Sequence, residues 1–143
     1  TDPVSKRIQK FTSSGIFLTQ WSPDGLTPYD IAIDSSNNVY LPDNLNHSIK
    51  KFDSSGTFLT QWISGDGGFG NIRGIATDSS NNVYVSDGSY RIQKFTSSGN
   101  FISKFGSYCD LSAPSNCVDP DGAGPLSLGD GQFNIPAGIA TDS

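Results

Sequence analysis

The chain has no glutamate and no methionine, a single histidine and only two cysteines in 143 residues. All 14 acidic residues are aspartate, and with strong helix formers this scarce a helical fold is disfavoured. One histidine, His47, cannot supply a histidine-clustered metal centre, and any Ser-His-Asp arrangement would have to use it without the support of a nucleophile-elbow motif. Cationic residues are also few. Nine Lys and Arg against 14 Asp leave a net charge of -5, the wrong balance for a nucleic-acid partner. No apolar run approaches the roughly 18 to 20 residues of a membrane span, and the opening stretch "TDPVSKRIQKF" lacks the apolar core of a signal peptide. Membrane insertion is not expected, and an export signal would have been removed or lie outside this chain.

What the chain has in abundance is Ser, Thr, Asn and Gly, arranged in repeats. "RIQKFTSSGIFLTQW" from Arg7, "SIKKFDSSGTFLTQW" from Ser48 and "RIQKFTSSGNFISKF" from Arg91 align without a gap. Ahead of the second and third stand "DIAIDSSNNVYLPD" from Asp30 and "GIATDSSNNVYVSD" from Gly74. Each unit reads as four short strands, of the types "IAID", "NVYLPD", "RIQKF" and "FLTQW". The links "DSSNN" and "SSG" hold residues that accept tight-turn geometry at low cost. Phe11 to Phe52 is 41 residues and Phe52 to Phe95 is 43. Four short strands at that period predict an all-β fold built from propeller blades.

The wording "GIATDSSNNVYVSDGSYRIQKFTSSGNFISKFG" closely resembles the NHL repeat, and the resemblance covers nearly the whole chain. It implies a β-propeller, commonly six-bladed, with the first strand of each blade lining the channel. On that pattern the chain holds about three four-stranded blades, half of such a ring. Residues 1–21 form a partial blade, 28–62 and 72–105 full blades, 106–135 an inter-blade insertion, and 136–143 the first strand of a further blade. Ser48 stands where the family pattern has Arg, which is read as one cation lost. An open arc leaves two apolar faces wet. Either the chain is a piece of a longer repeat protein, or a second copy completes the ring.

The short turns should lie on one face of the propeller and the longer loops on the other, where binding is expected because loops vary without disturbing the blades. Asp24, Asp66, Asp110, Asp119, Asp121 and Asp130 fall in inter-blade segments and predict an acidic face. Asp119, Asp121 and Asp130, among several glycines, offer oxygen ligands suited to Ca²⁺. The competing reading is that they serve turns, since "GDGQFNIPAGIA" echoes "GDGGFGNIRGIA". Cys109 and Cys117 are expected to form a local disulfide in an oxidising compartment, the alternative being two free thiols. "NHS" at Asn46 is a glycosylation sequon or a chance match. Trp21, Trp62 and Phe105 occupy one repeated position and should pack blade against blade.

Together these features lead us to expect a non-catalytic NHL propeller scaffold, extracellular or on the cell surface. It would bind protein or glycan on its long-loop face or associate with itself, with no cofactor beyond a possible calcium ion. Two alternatives stand beside it. Lyases and lactonases share the propeller, but the several metal-holding histidines of the peptidyl-amidating lyases are absent here. Some NHL proteins bind RNA through a basic face, which the acidic balance opposes.

Overall fold

The computed structural model describes residues 1–64, 68–108, 132–133 and 136–142. Its local geometry is set by two turn devices that recur with the repeat. In "SSG", the amide of Gly56 donates to the Asp53 carbonyl at 3.1 Å and the amide of Asp53 to the Thr57 carbonyl at 2.9 Å, and the same pair of bonds closes Thr12–Ile16 and Thr96–Asn100. Gly15, Gly56 and Gly99 sit at φ near +84°, +90° and +88°, where a side chain would be strained, and the register of each hairpin slips by one residue beside the turn. In "DSSNN" the equivalent left-handed residue is Asn37 or Asn81, one of the few types that tolerate it.

These turns join strands in simple up-and-down order. The strands β1 (Ile8–Phe11) and β2 (Phe17–Trp21) form the first sheet. A second, four-stranded sheet runs β3 (Ala32–Ile33), β4 (Val39–Asp43), β5 (Ser48–Phe52), β6 (Phe58–Ile63), and a third runs β7 (Ile72–Thr77), β8 (Val83–Asp87), β9 (Arg91–Phe95), β10 (Phe101–Phe105). All pairings within these sheets are antiparallel. They are the three blades that the repeat predicts. Within the expected insertion, β11 (Ser107–Tyr108) and β12 (Gln132–Phe133) make a short parallel pair.

The blades bury their faces against each other. Ile8, Leu26, Val39, Leu41 and Phe52 fill the space between the first and second, with Trp21 against them. Tyr40 and Ile49 from the second meet Ile75, Val83, Val85 and Phe95 from the third, with Trp62 alongside. The tryptophans are seated by glycine. Trp21 stacks at 5.0 Å from Phe52, and a Cβ on Gly56 would come within 2.5 Å of its ring. Trp62 repeats this against Phe95 and Gly99 one blade further on. The outermost strands lie open, with Phe17 and Leu18, Phe58 and Leu59, and Phe101 and Ile102 all exposed.

Near the axis, hydroxyls measure the step from blade to blade. Thr77 Oγ1 donates to the Ile33 carbonyl at 2.7 Å, and Thr141 Oγ1 donates to the Thr77 carbonyl at the same distance. Ile33, Thr77 and Thr141 hold one repeat position, so residues 138–142 occupy the next inner-strand place. They form no strand there. Ala32 and Ile75 are buried and Ile31 and Ala76 partly so, whereas Ile139 is only partly buried and Ala140 is exposed, because no further blade lies over them among the described residues.

Candidate interaction surface

The two faces of the arc are distinguishable by their inter-blade hydrogen bonds. On the short-turn face, Ser35 donates its amide to Asn81 Oδ1 at 2.9 Å, and Lys51 Nζ donates to the Ser97 carbonyl at 3.0 Å. Each "DSSNN" aspartate organises its own turn there. Asp34 Oδ1 accepts the amides of Ser36 and Asn38, while Oδ2 accepts Asn38 Nδ2 and the Tyr40 hydroxyl at 2.8 Å. Asp78 does the same with Ser80, Asn82 and Tyr84. Burial raises the Asp78 pKa, but the bonds from Asn82 and Tyr84 and the charge of Lys94 outweigh it and hold the carboxyl at about 2. Tyr40 moves the other way, its hydroxyl pushed well up by burial and by the charge of Asp34.

The long-loop face is framed by Asp2, Asp43 and Asp87, each at the start of a loop between second- and third-strand positions. Asp2 Oδ1 accepts the Ser5 amide at 3.0 Å and pairs with Arg7 at 2.9 Å; Asp43 accepts the amide and the Nδ2 of Asn46; Asp87 accepts the Ser89 amide at 2.8 Å. The loop returns to the strand through Lys6, His47 and Tyr90, all left-handed at φ of 50°, 49° and 59°. His47 is therefore a turn residue on an exposed corner. Asn44 ties this face to the next blade, donating to the Ile72 carbonyl at 3.0 Å and accepting the Ile72 amide at 2.6 Å.

Ser48 does not mark a lost cation. Arg91 and Gln93 both bind Asp87 Oδ2, at 3.2 and 2.9 Å, whereas in the second blade Lys50, at the Gln93 position, reaches Asp43 Oδ2 at 3.0 Å. The charge has moved two residues along the same strand face. Lys50, Lys51 and Arg91 are largely buried, and Lys51 lies over the Tyr40 ring at 5.1 Å as Lys94 lies over Tyr84 at 4.9 Å.

The proposed calcium ligands Asp119, Asp121 and Asp130 and the proposed disulfide pair Cys109 and Cys117 lie outside the described residues, as do Asp66 and Asp110. Of the inter-blade aspartates only Asp24 is described, and it is exposed. Asn46 is exposed at its loop while its side-chain amide donates to Asp43 Oδ2 at 2.8 Å. The described part of this face is instead notable for apolar tips. Val4 is 92% exposed, Leu45 80% and Tyr29 71%. Leu45 and Tyr29 flank a depression of about 140 Å³ floored by Leu26 and bounded by Asp43 and Asn44. Val4 and Leu45 align two residues after Asp2 and Asp43, but the third repeat has Ser89 at that place.

Solved structures place this geometry in a known architecture. The chain is similar to the WD40 repeats of RRP9, at 14% identity and a TM-score of 0.53 over 69% of this chain and 32% of that one. It is similar to virginiamycin B lyase from Staphylococcus aureus, at 21% identity and a TM-score of 0.56 over 71% of this chain and 34% of that one. A third neighbour, U3-55K, shares 13% identity at a TM-score of 0.53 over 73% of this chain and 37% of that one. The fold is that of a β-propeller. The chain spans about a third of the length of these neighbours, and identities this low speak to fold alone. No family model and no curated protein matches the chain.

Proposed function

We propose that the chain is an NHL-type propeller scaffold, working outside the cell, that binds a protein partner through its long-loop face. The observation that carries this reading is the pair of exposed apolar tips Val4 and Leu45, on loops held from within by Asp2 and Asp43, with exposed Tyr29 beside Leu45 at one depression. Large apolar side chains presented on a rigid polar frame suit protein recognition, because little conformational freedom is lost on binding. The extracellular setting rests on the expectation, from the sequence alone, that Cys109 pairs with Cys117. One neighbour is a lyase, but a likeness at 21% identity speaks to the fold alone. An RNA-binding reading is disfavoured by the third-strand cations, since Lys50, Lys51, Arg91 and Lys94 each face an Asp within 3.7 Å.

The test is selection of a displayed random-peptide library on the immobilised chain, followed by binding to a Leu45→Asp, Tyr29→Ala double variant. Selected peptides should compete with one another and bind that variant at least roughly tenfold more weakly, the size expected for loss of a central contact. Peptides that bind wild type and variant equally would overturn the reading.

A further inference from the structure

The link from the first blade to the second is shorter than the link from the second to the third. Trp21 to Asp34 is 13 residues, and the equivalent pair, Trp62 to Asp78, is 16. The longer link closes over its blade. Phe69 lies 5.6 Å from Phe95 and completes a set of three rings around it with Trp62 and Phe101, while Ser64 Oγ donates to the buried Gln93 Oε1 at 2.8 Å.

The shorter link closes less. Phe52, at the Phe95 position, has ring neighbours in Trp21 and Phe58, and the link contributes aliphatic Leu26 to its cluster in place of a further ring. Pro23 stands at the Ser64 position with no side-chain hydrogen-bonding group, and Lys50 stands at the Gln93 position. A pocket of about 430 Å³ opens here, between the link and strands β5 and β6. Phe58, 52% exposed, gives it an aromatic wall, and Asp24, Gln61 and Lys50 supply polar groups. Among the described residues neither Asp24 nor Gln61 spends its side chain on a bond, and Lys50 uses its ammonium on Asp43 alone.

These groups select a ligand by class. A carboxylate and an ammonium in one pocket disfavour a ligand with a full charge of either sign, since each would meet its like. The carboxylate only accepts, the ammonium only donates and the amide does both, so the matching ligand presents several groups that donate and accept side by side. Vicinal hydroxyls do this. The C–H face of the ring that carries them is apolar enough to lie on an aromatic wall, and the volume falls within the roughly 300 to 1,000 Å³ of small-molecule sites. We propose that the pocket binds a neutral saccharide, one sugar ring lying against Phe58 with its hydroxyls on Asp24, Gln61 and Lys50. The pocket lies between two joined blades and includes neither Val4, Leu45 nor Tyr29, so it is a second site beside the long-loop face.

Titration of the 143-residue chain, followed by amide NMR, with D-glucose, D-galactose, D-mannose, N-acetyl-D-glucosamine, cellobiose, lactose and chitobiose tests the proposal. At least one sugar should give saturable shifts that gather at Ser22, Asp24, Gly56 and Gln61. Asp24→Ala, at an exposed position, should weaken that sugar at least roughly tenfold, the scale of one lost bond to a charged group. Phe58→Ala should do the same by removing the aromatic wall, and because Phe58 also touches Phe52, the Asp24 variant keeps the test independent of any change in stability. Phe101→Ala, at the equivalent place in the third blade, and the Leu45→Asp, Tyr29→Ala double variant should leave the affinity unchanged. No saturable binding by any of the seven sugars, shifts gathered away from the pocket, or a wild-type affinity in Asp24→Ala would each overturn it.

Discussion

Lys50 Nζ stands 3.0 Å from the buried carboxylate of Asp43, filling the place that Arg91 and Gln93 share beside Asp87. A buried anion with its cation removed is costly, about 3 kcal/mol or more, although the two bonds from Asn46 offset part of this. Lys50→Met should therefore lower the unfolding free energy by roughly 2 kcal/mol and the urea midpoint with it. Adding Ser48→Arg should recover most of it, because Arg then lies where Arg91 reaches Asp87. Urea unfolding of the single and double variants measures both effects.

The turn glycines should separate by context. Gly15→Ala meets open space and costs only left-handed backbone strain, about 1 kcal/mol. Gly99→Ala adds a Cβ within 2.6 Å of the Trp62 ring, so the overlap adds a further 1 to 3 kcal/mol, roughly, to that strain. Thermal unfolding at matched low protein concentration should rank Gly99→Ala well below Gly15→Ala.

Acid should destabilise the fold over a defined window. Bonds from the Ser55 hydroxyl and then the Thr57 amide hold Asp53 at about 2, and the cluster around Asp78 holds that carboxyl at about 2, both below the ordinary 3.8. Asp34 and Asp43 are shifted the same way, as burial is outweighed by bonds from Asn38 and from Asn46 and Lys50. The unfolded chain then binds more protons, so stability is full above the unfolded pKa and declines as pH falls from about 4 toward 2. Melting temperature against pH should be level near neutrality and drop through that interval. Asp78→Asn should lower the plateau and shallow the drop.

The cysteines carry a prediction of their own. Thiol titration of denatured, unreduced protein should find no free group, and reduction should release the two of Cys109 and Cys117. Two reactive groups before reduction would remove the support for an extracellular setting.

The blades were legible in the sequence because each is written by local rules. Gly15, Gly56 and Gly99 announce left-handed turns, and Trp21 and Trp62 recur where a flat ring can lie on such a glycine. The charge network was less legible, because a cation at Ser48 and one at Lys50 look different along the chain yet project to one carboxylate across a strand. The apolar loop tips escaped notice for another reason: Val4 and Leu45 are ordinary residues whose meaning depends on exposure, which spacing does not encode. Residues 138–142 show the opposite case. Their sequence is that of an inner strand, but a strand needs a neighbour, and among the described residues the Thr141 bond to Thr77 ties them to the third blade.

The backbone bonds that close the turn of Asp34, Asn37 and Asn38 lie within five consecutive residues, and Asp78, Asn81 and Asn82 repeat them. A blade therefore carries its own instructions for reversing the chain. Duplicating or deleting one repeat leaves the backbone bonds of every remaining hairpin intact and alters the contacts between blades, bonds such as Ser35–Asn81 and Lys51–Ser97 together with the rings that rest on glycines. The number of units is thus a quantity that gene duplication can vary without redesigning any of them.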